Sequence, residues 1–222
     1  MNEAAESILV GINRGDGIGG PTAIAGILHE SLSDCRCLDV DDLARRYLNW
    51  WRDGAFDTGP TFSLVFQRAD AGLSVEEAVK EVDQLLGGQT AGCGPAQRIA
   101  PLAACVTIPT TKIAALARDE AQITHQHPHA GDAAAVVALL CRHLIEGCSW
   151  ESAKRNVSES EPDVWSAANK ADLSTGGYAL DVVRTAIHFL DGDEPLAKAL
   201  EFSGDQNYCP VVVGAIEGAR CR

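Results

Sequence analysis

Apolar residues recur along most of this chain at the spacing of an α-helix. In 41–51, Ala44, Tyr47, Leu48 and Trp51 fall at i, i+3, i+4 and i+7 with Arg45, Arg46 and Asn49 between them, which predicts an amphipathic helix opened by Asp39 or Asp41. The stretch 131–145 behaves alike, with Ala133, Val136, Val137, Leu140 and Leu144 on one stripe and Gly147 following as a C-cap. Helices are also predicted at 22–32, 75–86, 178–190 and 211–219, and alternating strand patterns are scarce, so the expected class is all-α. The connections at 15–21, 54–60, 87–101, 124–129, 174–177 and 203–210 are rich in Gly, Thr, Asp and His, the places where a helical scaffold carries its site. No period of 20 to 50 residues recurs, which excludes a solenoid. Residues 158–163 form the most linker-like patch, yet the helices on both sides read as parts of one bundle, and a single domain over 1–222 is expected.

Composition narrows the function classes. Of 222 residues, 46% are apolar and 22% charged, as in a soluble globule, and no run reaches the roughly 18 apolar residues that cross a bilayer. The first residues are acidic and lack a basic leader, so the cytoplasm is the expected compartment. Of the eight cysteines, Cys105, Cys141, Cys148 and Cys209 lie in or beside apolar helical stretches, which suits buried thiols rather than a disulfide framework. Cys35 and Cys37 are spaced CxC with no second pair at zinc-finger spacing, which argues against structural zinc. A formal charge of −13 without a basic run repels phosphate backbones, so nucleic acid is not an expected partner, although backbone N–H groups could still hold a small anion. The oligomeric state is open.

Three loops carry candidate chemistry. GDGIGG, 15–20, fits GxGxxG after an apolar run, but a dinucleotide fold needs a second strand ending in an acid about 20 residues on, and Asp39 instead opens a helix. It reads as a glycine-rich turn where helices pack closely. THQHPH, 124–129, offers three imidazoles, but Pro128 and the helix behind it break the extended run that would bind zinc through alternate positions. AGCGPAQRIAPLA, 91–103, can bring backbone donors to a phosphate, while Arg98 either faces that charge or ties the loop to a neighbouring carboxylate.

In order, GINRGDGIGGP, DLARRYLNWWRDGAFDTGPT, AGCGPAQRIAPLA, THQHPHAGDAAAVVALL, GGYALDVVRTAIHFL and SGDQNYCPVVVGAIEGA resemble six successive segments of the ADP-ribosylglycohydrolase family. The family includes the dinitrogenase-reductase-activating glycohydrolases and the ADP-ribosylarginine hydrolases. The resemblance implies a single compact orthogonal multi-helix bundle and a central cleft that binds ADP-ribose. It also implies two divalent ions, magnesium or manganese, held by carboxylates and used to activate water against the bond between ribose and an acceptor such as arginine or serine. Carried over by position, Gly92, Gly94, His125 and Pro128 would shape the phosphate and ribose contacts, Gly177 and Tyr178 would lie near the adenosine, and Asp57 is a further ligand-binding candidate.

The metal positions depart from the family. Only Thr22 remains of its Thr-Asp-Asp-Thr segment, with Gly19, Gly20 and Pro21 in the other places, and at the C-terminal motif Asp205 matches while Asn207 and Tyr208 replace Asp and Thr. Asp205 is the candidate catalytic residue, and Asp205, Asn207 and Thr22 are a residual ligand set, with Asp16 or Asp57 as further carboxylates. Neutral oxygens do not offset the dehydration of a divalent ion, so the magnesium or manganese of the family is expected to be weakened or lost. Two readings follow: a hydrolase of ADP-ribosyl conjugates, on protein or small molecule, with an altered metal site; or a silent relative that binds ADP-ribose or a protein partner, or serves a structural role as the family's lens crystallins do.

Overall fold

A computed structural model describes residues 3–168, 172–203 and 208–220. Among them are thirteen α-helices and no strand. In order these are α1 (Glu3–Gly15), α2 (Gly20–Cys35), α3 (Val40–Arg52), α4 (Pro60–Asp70), α5 (Val75–Leu85), α6 (Gly94–Arg98), α7 (Thr110–Ala121), α8 (Pro128–Ile145), α9 (Trp150–Ser160), α10 (Pro162–Ala168), α11 (Ala179–Leu190), α12 (Pro195–Phe202) and α13 (Cys209–Arg220), with a 3₁₀ turn over Ala100–Ala104. The six predicted helices are present, each within about three residues of its expected ends.

The centre is α8. Ala133 through Arg142 are buried without a break, so this helix is apolar on every side and is enclosed by α7, α9, α11, α13, α6 and the 3₁₀ turn. Its single cationic interior residue, Arg142, donates to the carbonyls of Cys105 (3.1 Å) and Ile108, which ends the 3₁₀ turn against the helix. Gly147, at φ +88°, takes the left-handed position just past α8, as its place in the sequence predicts.

The closest helix pair joins the two ends of the chain. Gly11 and Gly15 of α1 face Gly214 and Pro210 of α13, and Gly218 faces Ser7, all backbone to backbone. The helical pattern of α1 is hard to see in the sequence because these glycines lower its propensity by about 1 kcal/mol each; their use is the close approach. The expectation that Ser158 to Asp163 is linker-like is corrected. Only Glu161 separates α9 from α10, and its carboxylate is bound by Arg118 of α7 at 2.6 Å, which in turn holds Asp132 of α8 at 2.9 Å.

Of the described cysteines, Cys35, Cys37, Cys93, Cys105, Cys141 and Cys148 are free thiols. Cys141 and Cys209 are buried as expected, whereas Cys105 and Cys148 are half-buried. No helix among the described residues is long and apolar enough to cross a membrane.

Candidate functional site

Four separate loops and one helix end converge on a cavity of about 360 Å³. It is lined by 57–62, 92–94, Gln97, His125, Gly177 and Tyr208. The segment 91–94 runs against 177–179: Cys93 N donates to the Gly177 carbonyl at 3.0 Å and Ala179 N to the Ala91 carbonyl at 2.9 Å. This short pairing, with Gly92 opposite Tyr178, brings two glycines, Gly92 and Gly177, into the wall, where a ligand can approach the backbone.

Of the residues expected to bind ligand, Asp57, Gly92, Gly94, His125 and Gly177 all line this cavity. Tyr178 is not among the lining residues: its backbone pairs with Gly92, and its hydroxyl is hydrogen-bonded to His129 Nδ1. Pro128 is not in the cavity: it is exposed in the first turn of α8 and borders a smaller depression with Arg118, Gln126 and His127. Asp205 and Asn207 lie outside the described residues. Three lining residues, Thr61, Phe62 and Gln97, were not singled out from the sequence because they belong to helices, α4 and α6, where they read as packing.

Each titratable group in the wall has a distinct environment. Asp57 sits at φ +49°, a left-handed conformation that Asp tolerates, and its Oδ1 accepts from the Tyr208 hydroxyl at 2.8 Å. Its Oδ2 is buried with no hydrogen-bond partner among the described residues. Burial, followed by the bond to Asp57, pushes the Tyr208 phenol up to about 12. Burial also pushes the Cys93 thiol up to about 12, and Gln97 Nε2 donates to its sulfur at 3.3 Å. Burial, aided by the nearby Arg98 cation, pushes His125 down to about 3. The wall therefore presents a neutral thiol, phenol and imidazole at neutral pH beside the Asp57 carboxylate, with no Lys or Arg among the lining residues.

The His125 environment predicts a pH effect on stability. Its folded-state value lies below the ordinary 6.5, so the unfolded chain binds the extra proton as pH falls from about 6.5 towards 3, and stability present above 6.5 is lost through that window. At about 1.4 kcal/mol per pH unit, the loss from pH 7 to pH 5 is about 2 kcal/mol. Urea unfolding at both pH values should show this loss in the native chain and its absence in His125→Gln; equal pH dependence in the two would place His125 in contact with water.

Arg98 faces away from the cavity. Its side chain is 1% exposed, and its Nε meets Glu120 Oε1 at 2.6 Å while the other end donates to Thr124 Oγ1 at 2.8 Å. Of the two roles open to it in the sequence, it holds the loop to a carboxylate.

A sequence profile of the ADP-ribosylglycohydrolases matches residues 14–221. The chain belongs to this family. Compared with curated protein sequences it finds no match. A solved structure described as an ADP-ribosylglycohydrolase-related protein complex superposes with a TM-score of 0.76 at 23% identity, covering 99% of this chain and 87% of that one, which bears out the all-α fold of the family.

The ADP-ribosylglycohydrolase fold implies a metal centre, and the described residues do not fit one with two ions. Asp16 could be a ligand only by giving up its own loop: Oδ1 accepts from Ile18 N (3.2 Å) and Gly19 N (2.8 Å), and Oδ2 from Thr22 N (2.9 Å) and Thr22 Oγ1 (2.7 Å). That arrangement caps α2 and also uses the hydrogen of the Thr22 hydroxyl. Asp57 supplies a single unpartnered oxygen. Among the described residues no group of three or more His, Cys, Asp or Glu is placed to hold a metal ion.

Proposed function

We propose that the cavity receives the ADP-ribosyl group of a conjugate and that recognition of this group needs no two-ion centre. The family acts on ADP-ribosylated substrates. The observation that supports the reading is the convergence of Asp57, Gly92, Gly94, His125, Gly177 and Tyr208 on one cavity from separate parts of the sequence. Phe62 and Tyr208 give it an apolar body suited to a sugar or base face, the glycines let phosphate oxygens approach the main chain, and Asp57, Gln97 and His125 orient polar atoms. The Asp57 carboxylate, which lines the cavity, is a lone-pair acceptor for a ribose hydroxyl.

The same carboxylate supports a second reading, hydrolysis of the conjugate, in which Asp57 takes a proton from water attacking the ribose carbon, the bond from that carbon to the acceptor breaks, and the proton passes to the departing acceptor.

Calorimetric titration of ADP-ribose before and after chelation tests both. Equal binding in the two conditions is the expected result, with Asp57→Asn weakening it about tenfold, one charge-assisted hydrogen bond, while the melting temperature holds. Release of free ADP-ribose from an ADP-ribosylated arginine or serine peptide, lost in Asp57→Asn, would establish the second reading. No binding in either condition would overturn the first.

A further inference from the structure

The structure assigns His125 a fixed role, that of a neutral hydrogen-bond donor whose Nε2–H is presented to the cavity, with Arg98 and Thr124 acting behind it as positioning residues.

The assignment follows from counting donors and acceptors. Thr124 Oγ1 lies 2.7 Å from His125 Nδ1, so one of the two atoms donates to the other. Arg98 always donates, and its bond to Thr124 Oγ1 at 2.8 Å occupies one lone pair of that oxygen. If Nδ1 carried the proton, the Thr124 hydroxyl would have to send its own hydrogen to the Ala121 carbonyl, 3.4 Å away. That carbonyl already accepts from Thr124 N (3.1 Å) and His125 N (2.9 Å), which uses both of its lone pairs. The 2.7 Å contact is much the shorter of the two, so the hydroxyl donates to Nδ1, which leaves the ring hydrogen on Nε2. Arg98 is itself oriented by Glu120, so the order is built from the buried ion pair outward.

Nε2 points at the glycines of the wall. A side chain at Gly92 would place its Cβ 3.1 Å from Nε2, and one at Gly94 would lie 3.5 Å from Cε1. Both positions are bare, so the donor is open to the cavity. A neutral N–H in a wall without lysine or arginine selects a ligand atom that only accepts, a phosphate or carbonyl oxygen, and does so without a charge that changes with pH. The naming of that atom as an ADP-ribosyl phosphate oxygen rests on the function proposed above; the position of the proton does not.

The test is ¹⁵N–¹H long-range correlation of the histidine rings in the full chain, with the His125 signals identified by their loss in His125→Gln. The native chain should show the Nε2–H form unchanged between pH 5 and 8. Thr124→Val, which keeps the shape and removes the hydroxyl, should let the Nδ1–H form appear beside the Nε2–H form and weaken ADP-ribose binding, while Thr124→Ser restores both. Gly92→Ala should leave the ring form alone and weaken binding by covering the donor. An Nδ1–H ring in the native chain, or one that titrates near pH 6.5, overturns the assignment, and a Thr124→Val chain with both ring form and binding unchanged overturns the positioning role of Thr124. The expected ring form without ADP-ribose binding upholds the donor and overturns only the choice of ligand.

Discussion

Gly214→Ala is expected to lower the unfolding free energy by about 3 kcal/mol or more, the upper end of what overpacking costs. Propensity alone gives the opposite sign, because alanine in a helix interior is worth about 1 kcal/mol over glycine. The structure decides between them. A Cβ at Gly214 would lie 2.0 Å from the Gly11 carbonyl oxygen, and a Cβ at Gly11 would lie 2.0 Å from the Gly214 oxygen. Neither obstacle is a side chain that can rotate aside. The helices α1 and α13 would have to separate, and the neighbouring contacts of Gly15 with Pro210 and of Gly218 with Ser7 would be drawn apart with them. Urea unfolding measures the outcome, and a midpoint equal to or above that of the native chain would show that the two helices do not pack backbone to backbone.

The second large effect concerns charge. Arg98→Met is expected to cost about 3–5 kcal/mol, the range for removing one partner of a buried ion pair. Glu120 is fully buried, and its Oε1 is held by Arg98 Nε at 2.6 Å and the Tyr47 hydroxyl at 2.9 Å, while Oε2 has no partner among the described residues. Without the guanidinium the carboxylate keeps only the phenol, whose own pKa burial and Glu120 already hold well above the ordinary value. Arg98→Met combined with Glu120→Leu should cost less than Arg98→Met alone, because the second change removes the stranded charge. A single variant within about 1 kcal/mol of the native chain would mean that water reaches Glu120.

These two sites also show where the sequence is informative. The helices around Tyr47 and Val137 were legible because one apolar stripe repeats with polar residues between, and the cavity was legible because its glycines and His125 sit at the ends of such stripes. The partner of Arg98 was not. Glu120 follows Arg118 and Asp119 in a run that looks like a solvated face, and only the fold turns it inward while Arg118 goes to Asp132 and Glu161. The helix α1 escaped for a related reason: the purpose of Gly11 lies 203 residues away, at Gly214. Thr61, Phe62 and Gln97 reach the cavity from helices, where no local pattern separates a lining residue from a packing one.

The loop that Asp16 closes limits what this site can be made to hold. A Cβ at Gly20 would lie 2.3 Å from the Asp57 carbonyl oxygen, and the preceding Gly19, at φ +112°, disfavours any side chain. Carboxylates placed at these two positions one at a time would break the turn before they built a ligand set, so engineering a metal centre into this loop requires inserting a segment rather than exchanging side chains.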